Sequence, residues 1–215
     1  MPLIDKSPLF ISIDGIDGCG KSTQIRKLNK FFIDKGLPVL MTKEPGGTEV
    51  GTVFRKILIS TMYNIEPETE MLLYCADRLE HQKKVILPAI ENNFNILCDR
   101  FLPSTFAYQI FGRLLDDSIL KMLIPVSVFK WPDITFIIDI EPETALKRAV
   151  NRLKRQDEMQ NEGKFEQLGI EFFEKVRKGF LWYAKNFENV IVINGNGKID
   201  DIFENIKNHI FGETL

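Results

Sequence analysis

The sequence predicts a three-layer α/β fold, a parallel five-stranded sheet with helices on both faces, and three observations carry that prediction. Short apolar runs at 9–14, 39–42, 94–98, 134–140 and 190–193 have strand length and are apolar throughout rather than alternating. Longer segments with helical spacing of apolar residues separate them. A glycine-rich turn follows the first run and opens onto a helical segment.

Taken in order, the first run ends in Gly15-Ile16-Asp17-Gly18-Cys19-Gly20-Lys21-Ser22, a G-x-x-x-x-G-K-S pattern followed by Thr23. Over the end of a strand, such a loop turns successive backbone N–H groups inward at the mouth of the next helix and makes a nest for phosphate. Its glycines allow close approaches that a Cβ would block. Lys21 is placed to reach the outer phosphates, and the Ser22 hydroxyl to ligate Mg²⁺. The strand before and the helix after distinguish this loop from a chance glycine-rich turn.

The helix spans 21–35 on the spacing of Ile25, Leu28, Phe31 and Phe32, with Gly36 as C-cap. Val39 to Thr42 reads as a second buried strand, leading into Lys43 and E-P-G-G-T at 44–48. Helical patterning fills 49–60 and about 67–91, with a break near Asn64–Pro67. The third strand ends in Asp99-Arg100, and Pro103 suits the first turn of a helix to about Ile110. A helix near 116–124 precedes the β-branched strand Ile134 to Ile140. Helix 142–155, a polar stretch 156–164, helix 167–186, strand 190–193 and helix 199–210 complete the chain. In a parallel sheet covered on both sides, ligands bind at the carboxyl ends of the strands. The loops after Asp14, Thr42, Cys98 and Ile140 are therefore expected to share one crevice.

At 215 residues the chain suits a single domain, 1–215, with one substantial core. A net charge of −2 argues against broad nucleic-acid binding. Three scattered cysteines without metal spacing read as core thiols of a reducing cytoplasm. No signal-peptide pattern and no apolar run of membrane-spanning length is present, so a soluble cytoplasmic protein is expected.

Several side chains suit phosphoryl chemistry. Asp99 could hold Mg²⁺ through water and Arg100 could grip a phosphate, although a surface ion pair explains the dipeptide as well. On a helix Thr105, Tyr108 and Gln109 share one face, a hydroxyl, a ring and an amide suited to reading a nucleoside. Tyr74 and Arg78 pair a flat ring with a planar cation, which alone is equally packing plus a solvated charge. Arg148, Arg152 and Arg155 form a cationic stripe running into 156–164. Such a stripe is commonly a solvated face, yet a mobile arginine-bearing segment also meets the charge that grows during phosphoryl transfer.

These motifs resemble the thymidylate kinase family of P-loop nucleoside monophosphate kinases. The likeness rests on I-D-G-I-D-G-C-G-K-S-T at 13–23, E-P-G-G-T at 44–48, Y-C-A-D-R at 74–78, D-R-F-L-P-S-T-F-A-Y-Q at 99–109 and F-E-Q…F-F-E-K-V-R at 165–177. The resemblance implies a P-loop kinase fold and transfer of the ATP γ-phosphoryl group to dTMP, giving ADP and the dTDP needed for dTTP. It also implies Mg²⁺, a homodimer and a short mobile lid at about 148–164. Gly15 to Thr23, with Arg148, would hold the ATP phosphates, and Lys21, Arg100, Arg152, Arg155 and Asp17 would carry the catalysis. Asp17 would hold the sugar 3′-OH, Arg100 the dTMP phosphate, and Tyr74 the thymine ring. Arg78 and Thr105 would read the base edge, and Tyr108 would sit against C2′. Lys43, Glu44, Pro45, Ser104 and Gln109 would complete the dTMP site, with Ser22 and Asp99 at the metal. The sequence departs from the family pattern twice, with Lys43 where arginine is usual and G-K-F-E at 163–166 where D-R-x-E is usual.

Rival readings are a regulatory GTPase, a deoxynucleoside kinase or other monophosphate kinase, and a non-catalytic nucleotide-binding module. The first lacks an N-K-x-D motif. E-P-G-G-T and the arginine stripe favour a monophosphate acceptor over a nucleoside, and equipment for two phosphate groups disfavours the third.

Overall fold

The computed structural model describes residues 8–156 and 163–212. Strand β1 (Phe10–Asp14) leads through the glycine-rich loop into α1 (Lys21–Asp34), and β2 (Val39–Lys43) into α2 (Glu49–Ile59). Helix α3 (Pro67–His81) continues through a π-helical turn, Gln82–Ile86, into α4 (Leu87–Glu91). Strand β3 (Asn95–Asp99) feeds α5 (Leu102–Thr105), which widens into a second π-helical turn, Phe106–Gly112. Then come α6 (Asp117–Ser127), β4 (Ile134–Asp139) and α7 (Pro142–Gln156). A 3₁₀ turn, Glu166–Leu168, starts α8 (Gly169–Asn186), followed by β5 (Val190–Asn194) and α9 (Ile199–Phe211).

All five strands run parallel in the order β2-β3-β1-β4-β5. β1 is central because it can be: every residue in it is buried, and its two polar side chains have partners. Ser12 Oγ and Thr135 Oγ1 bond across β1 and β4 at 2.8 Å. Asp14 Oδ1 accepts from Ser104 Oγ at 2.6 Å and from the Phe101 N–H at 3.2 Å. The pairing of Ile13 with Asp99 sets the end of β3 beside the start of the phosphate loop.

The edge strands differ from the expectation of uniform burial. β2 is only half buried, with Met41 47 % exposed, and β5 is also partly open. An edge strand has one neighbour, so its apolar residues shield less of themselves than those of β1 or β4. The helix expected at 67–91 is unbroken, and the one expected to end near Ile110 runs to Gly112; in both cases a π turn absorbs an extra residue. Of the stretch expected to form a lid, 148–156 belongs to α7 and 163–164 is described, while 157–162 lies outside the described residues. No helix among the described residues is long and apolar enough to cross a membrane.

Candidate active site

The phosphate loop takes its shape from its glycines. Gly15 has φ +139°, and a Cβ there would stand 2.6 Å from the Ile138 carbonyl of β4. Gly18, at φ +86°, lies against the Ala145 carbonyl of α7, leaving no room for a side chain. Ile16 and Cys19 are each only 2 % exposed and turn into the core. Lys21 is buried, and its Nζ donates to the carbonyls of Gly15 and Ile16, each at 3.0 Å. It is thus folded over the loop rather than extended from it.

An open groove of about 1360 Å³, mouth included, begins at this loop. Asp17, Gly18, Gly20, Lys21, Ser22 and Thr23 line it from below, and Lys43, Asp99, Arg148 and Arg152 from the sides. Gly15, Ile16 and Cys19 stay behind it. At its floor Ser22 Oγ donates to Asp99 Oδ2 at 2.8 Å. Two hard oxygens converge there, a donor set suited to Mg²⁺.

A second, more enclosed cavity of about 630 Å³ lies beyond. Its walls come from the loop after β2 (Glu44, Pro45), from α3 (Tyr74, Arg78), and from the segment after β3 (Arg100, Ser104, Thr105, Tyr108, Gln109). Asp17, Glu44, Arg55, Arg100 and Arg152 line both spaces. The loop after Ile140, expected to share the crevice, lines neither; the contribution from that side of the sheet comes two turns later, from α7. Arg155 lies farther out, in a surface groove with Arg148, Asn151, Arg152 and Gln156.

The enclosed cavity has internally paired charges. Asp17 Oδ1 accepts from Arg100 Nη2 at 2.6 Å, and Oδ2 from the Tyr108 hydroxyl at 2.6 Å. Burial alone would push the Asp17 carboxyl up, but Arg100 and Lys21 outweigh it and hold it well below the usual carboxylate range. Arg100, at φ +73°, also donates to Gly15 O and Ser104 Oγ, both at 3.0 Å, which fixes the guanidinium at the junction of the two spaces.

Deeper in, Glu44 takes Arg78 Nε at 2.8 Å on one oxygen and faces His81 Nδ1 at 3.0 Å with the other. Arg78 Nη2 donates to Thr105 Oγ1 at 2.9 Å. Arg78 Nη1 is a buried donor with no partner among the described residues, in a side chain that lines the cavity. An unmatched buried donor costs about 1–3 kcal/mol unless something accepts from it. Tyr74 supplies the flat wall.

The sequence did not single out Arg55, which reaches both spaces and donates to Pro45 O at 3.4 Å, and it assigned no site role to Phe101, Phe165 and Glu166, motif residues that close the cavity. Arg55 sits on the amphipathic α2 like any surface arginine, and only the fold turns it inward. Burial, with Asp17 nearby, pushes the Glu166 carboxyl up to about 7. The Glu44–Pro45 peptide is cis, and Asp77 Oδ1 holds the following Gly46 N–H at 3.0 Å.

A phosphate nest that shares a wall with a closed pocket for a flat, polar group is the arrangement of a nucleotide phosphotransferase. Comparison with known proteins specifies which kind. A thymidylate kinase family model matches residues 13–206. The thymidylate kinase of Maridesulfovibrio salexigens is 45 % identical over 202 residues, 93 % of each chain. That of Chlorobium limicola is 45 % identical over 177 residues, 80 % of each. The crystal structure of thymidylate kinase from Ehrlichia chaffeensis superposes with a TM-score of 0.74 at 30 % identity, covering 93 % of this chain and 97 % of that one. The chain belongs to the thymidylate kinase family. It is a phosphotransferase that converts ATP and dTMP into ADP and dTDP, and the deoxynucleoside kinase alternative is not favoured.

Proposed function

We propose that the two spaces divide this reaction between them, dTMP in the enclosed cavity and the ATP phosphates in the open groove, with transfer at the shared wall. The observation that carries the reading is that Asp17, Arg100 and Arg152 line both. A phosphate oxygen of dTMP would attack the γ-phosphorus there as the bond to the β–γ bridging oxygen breaks. Nothing in the site calls for a covalent enzyme intermediate; positioning and charge neutralisation suffice.

The roles proposed for the side chains are those that the family resemblance implies, and the arrangement of the two spaces supports them. Arg100 holds the acceptor phosphate, and Arg78 Nη1 meets a carbonyl of thymine stacked on Tyr74. Thr105 orients Arg78, and Asp17 serves the sugar hydroxyl. Tyr108 occupies the space that a 2′-OH would need. Lys21 and the loop N–H groups take the ATP phosphates, with Arg148 and Arg152 closing from α7. Ser22 and Asp99 would hold Mg²⁺, which neutralises phosphate charge when bound. An exposed apolar face on neighbouring helices, Val50 and Val53 of α2, Leu72 of α3, Met122 and Val126 of α6, supports a homodimer. Three buried free thiols support a cytoplasmic setting.

Product analysis with ATP and either dTMP, thymidine or water tests the reading. Formation of dTDP with dTMP alone is expected, and ATP hydrolysis with dTMP untouched would defeat it.

A further inference from the structure

Lys164 stands where the family pattern has an arginine, at the end of the stretch expected to close over ATP, and a role on phosphate would be the obvious assignment. The structure puts it elsewhere. Lys164 Nζ lies 2.8 Å from Glu70 Oε2, at the first turn of α3, and lines neither the groove nor the cavity.

Glu70 is fully buried and gathers three partners. Gln109 Nε2, from the cavity wall, donates to its Oε1 at 3.0 Å, and Arg113 reaches both oxygens at 3.2 and 3.0 Å. Burial would push this carboxyl up, but the hydrogen bonds from Arg113 and Gln109 and the nearby Lys164 ammonium outweigh it and hold it low. Arg113 also faces the rings of Phe165 and Phe172, each at 5.6 Å. The Phe165 ring in turn meets Tyr108 edge-on, 5.1 Å between centroids. Lys164 therefore ties down the two residues that follow it, Phe165 and Glu166, and both are cavity walls.

We infer that Lys164 is a positioning residue for the acceptor site: its ion pair with Glu70 seats Phe165 and Glu166 against the cavity, and it does not act on the phosphates. The inference rests on the reading that the enclosed cavity takes dTMP. Because Arg113 still pairs with Glu70 when Lys164 is removed, no buried carboxylate is stranded, so Lys164 is a cleaner probe than Glu70.

The test compares wild type, Lys164→Met and Lys164→Arg as full-length proteins, varying ATP and dTMP separately. A loss of positioning in Lys164→Met should raise KM for dTMP about tenfold, with kcat and KM for ATP within about threefold of wild type. Lys164→Arg, which keeps the charge and reach, should restore KM. A fall of about 100-fold in kcat with KM for dTMP unchanged would place Lys164 on the transferring phosphate and overturn the inference. Uniform weakening of both substrates, or no change at all, would overturn it too. Wild type serves as the check on the underlying reading: failure of dTMP to be phosphorylated by wild type would defeat the cavity assignment itself, whatever Lys164 does.

Discussion

The enclosed cavity and the open groove share a wall but treat charge in opposite ways. In the cavity two carboxylates are already matched, Asp17 by Arg100 and Tyr108, Glu44 by Arg78 and His81, while the third, Glu166, has among the described residues only Arg152, at 3.8 Å. Along the groove, Arg26, Lys43, Arg148 and Arg152 stand exposed around the loop. Fixed, paired groups discriminate, because a wrong ligand must leave a buried partner unmatched. Exposed cations attract and neutralise a polyanion with little regard for what carries it. The difference fits selectivity in the first region and neutralisation of the ATP phosphates in the second, with transfer at the wall they share.

The largest expected effects test that division directly. Lys21→Ala and Arg100→Ala should each lower kcat/KM by ~10²–10³-fold, about 3–4 kcal/mol, the usual scale for losing one fixed electrostatic contact. Lys21→Ala should act chiefly on kcat and Arg100→Ala chiefly on KM for dTMP; identical profiles would break the division. Next, Arg152→Ala should cost ~10²-fold in kcat because Arg152 reaches both spaces, whereas Arg155→Ala, in the outer groove, should stay within a few-fold. A larger loss at Arg155 than at Arg152 would place the transferring phosphate farther out.

A smaller effect sharpens the cavity side. Tyr108 is buried and packs edge-on against Phe165, Phe172 and Phe180, so its ring can exclude a 2′-OH. Tyr108→Ala should narrow the preference for dUMP over UMP by about tenfold or more, whereas Tyr108→Phe, which keeps the ring, should leave it largely intact. If both variants keep the wild-type ratio, the ring is only packing.

The smallest effect concerns the loop that closes the cavity. Burial, then the nearby Glu44, pushes the Asp77 carboxyl from its ordinary 3.8 up to about 6. The folded protein therefore binds a proton that the unfolded chain has released between pH 4 and 6. Stability from this group falls as pH rises through that window and is level above it. Asp77→Asn can still accept from Gly46 N–H. Its unfolding free energy should gain on wild type by ~1–2 kcal/mol from pH 4 to 6 and hold that margin at higher pH. Denaturant melts of both proteins at several pH values would measure it; a constant difference would show that Asp77 ionises normally.

The sheet was legible because its cause is local: five apolar runs of strand length, each followed by a helical segment. The phosphate loop was legible for the same reason, since spacing alone sets its geometry. Asp99-Arg100 could be placed beside that loop only once the order β3-β1 was known, and the register of Ile13 with Asp99 supplies it. Arg55 left no local signal, and Phe165 and Glu166 appeared only as part of a motif with no assigned role; tertiary packing brings all three to the cavity. The full burial expected of 39–42 failed because an apolar run does not reveal whether its strand lies at an edge. The folding of Lys21 over its own loop is likewise a property of side-chain partners, not of the motif.

The π-helical turn at Phe106–Gly112 has a consequence for phase. In an α-helix each residue advances by about 100°, so two residues five apart point roughly 140° away from each other. Here the Arg113 N–H bonds to the Tyr108 carbonyl, a five-residue turn, which brings the two side chains round toward the same side. Tyr108 thereby reaches Asp17 while Arg113 reaches Glu70 and the Phe165 ring. Deleting any one residue of the turn would restore a regular helix yet rotate one of those two away. The segment should therefore accept no change in length.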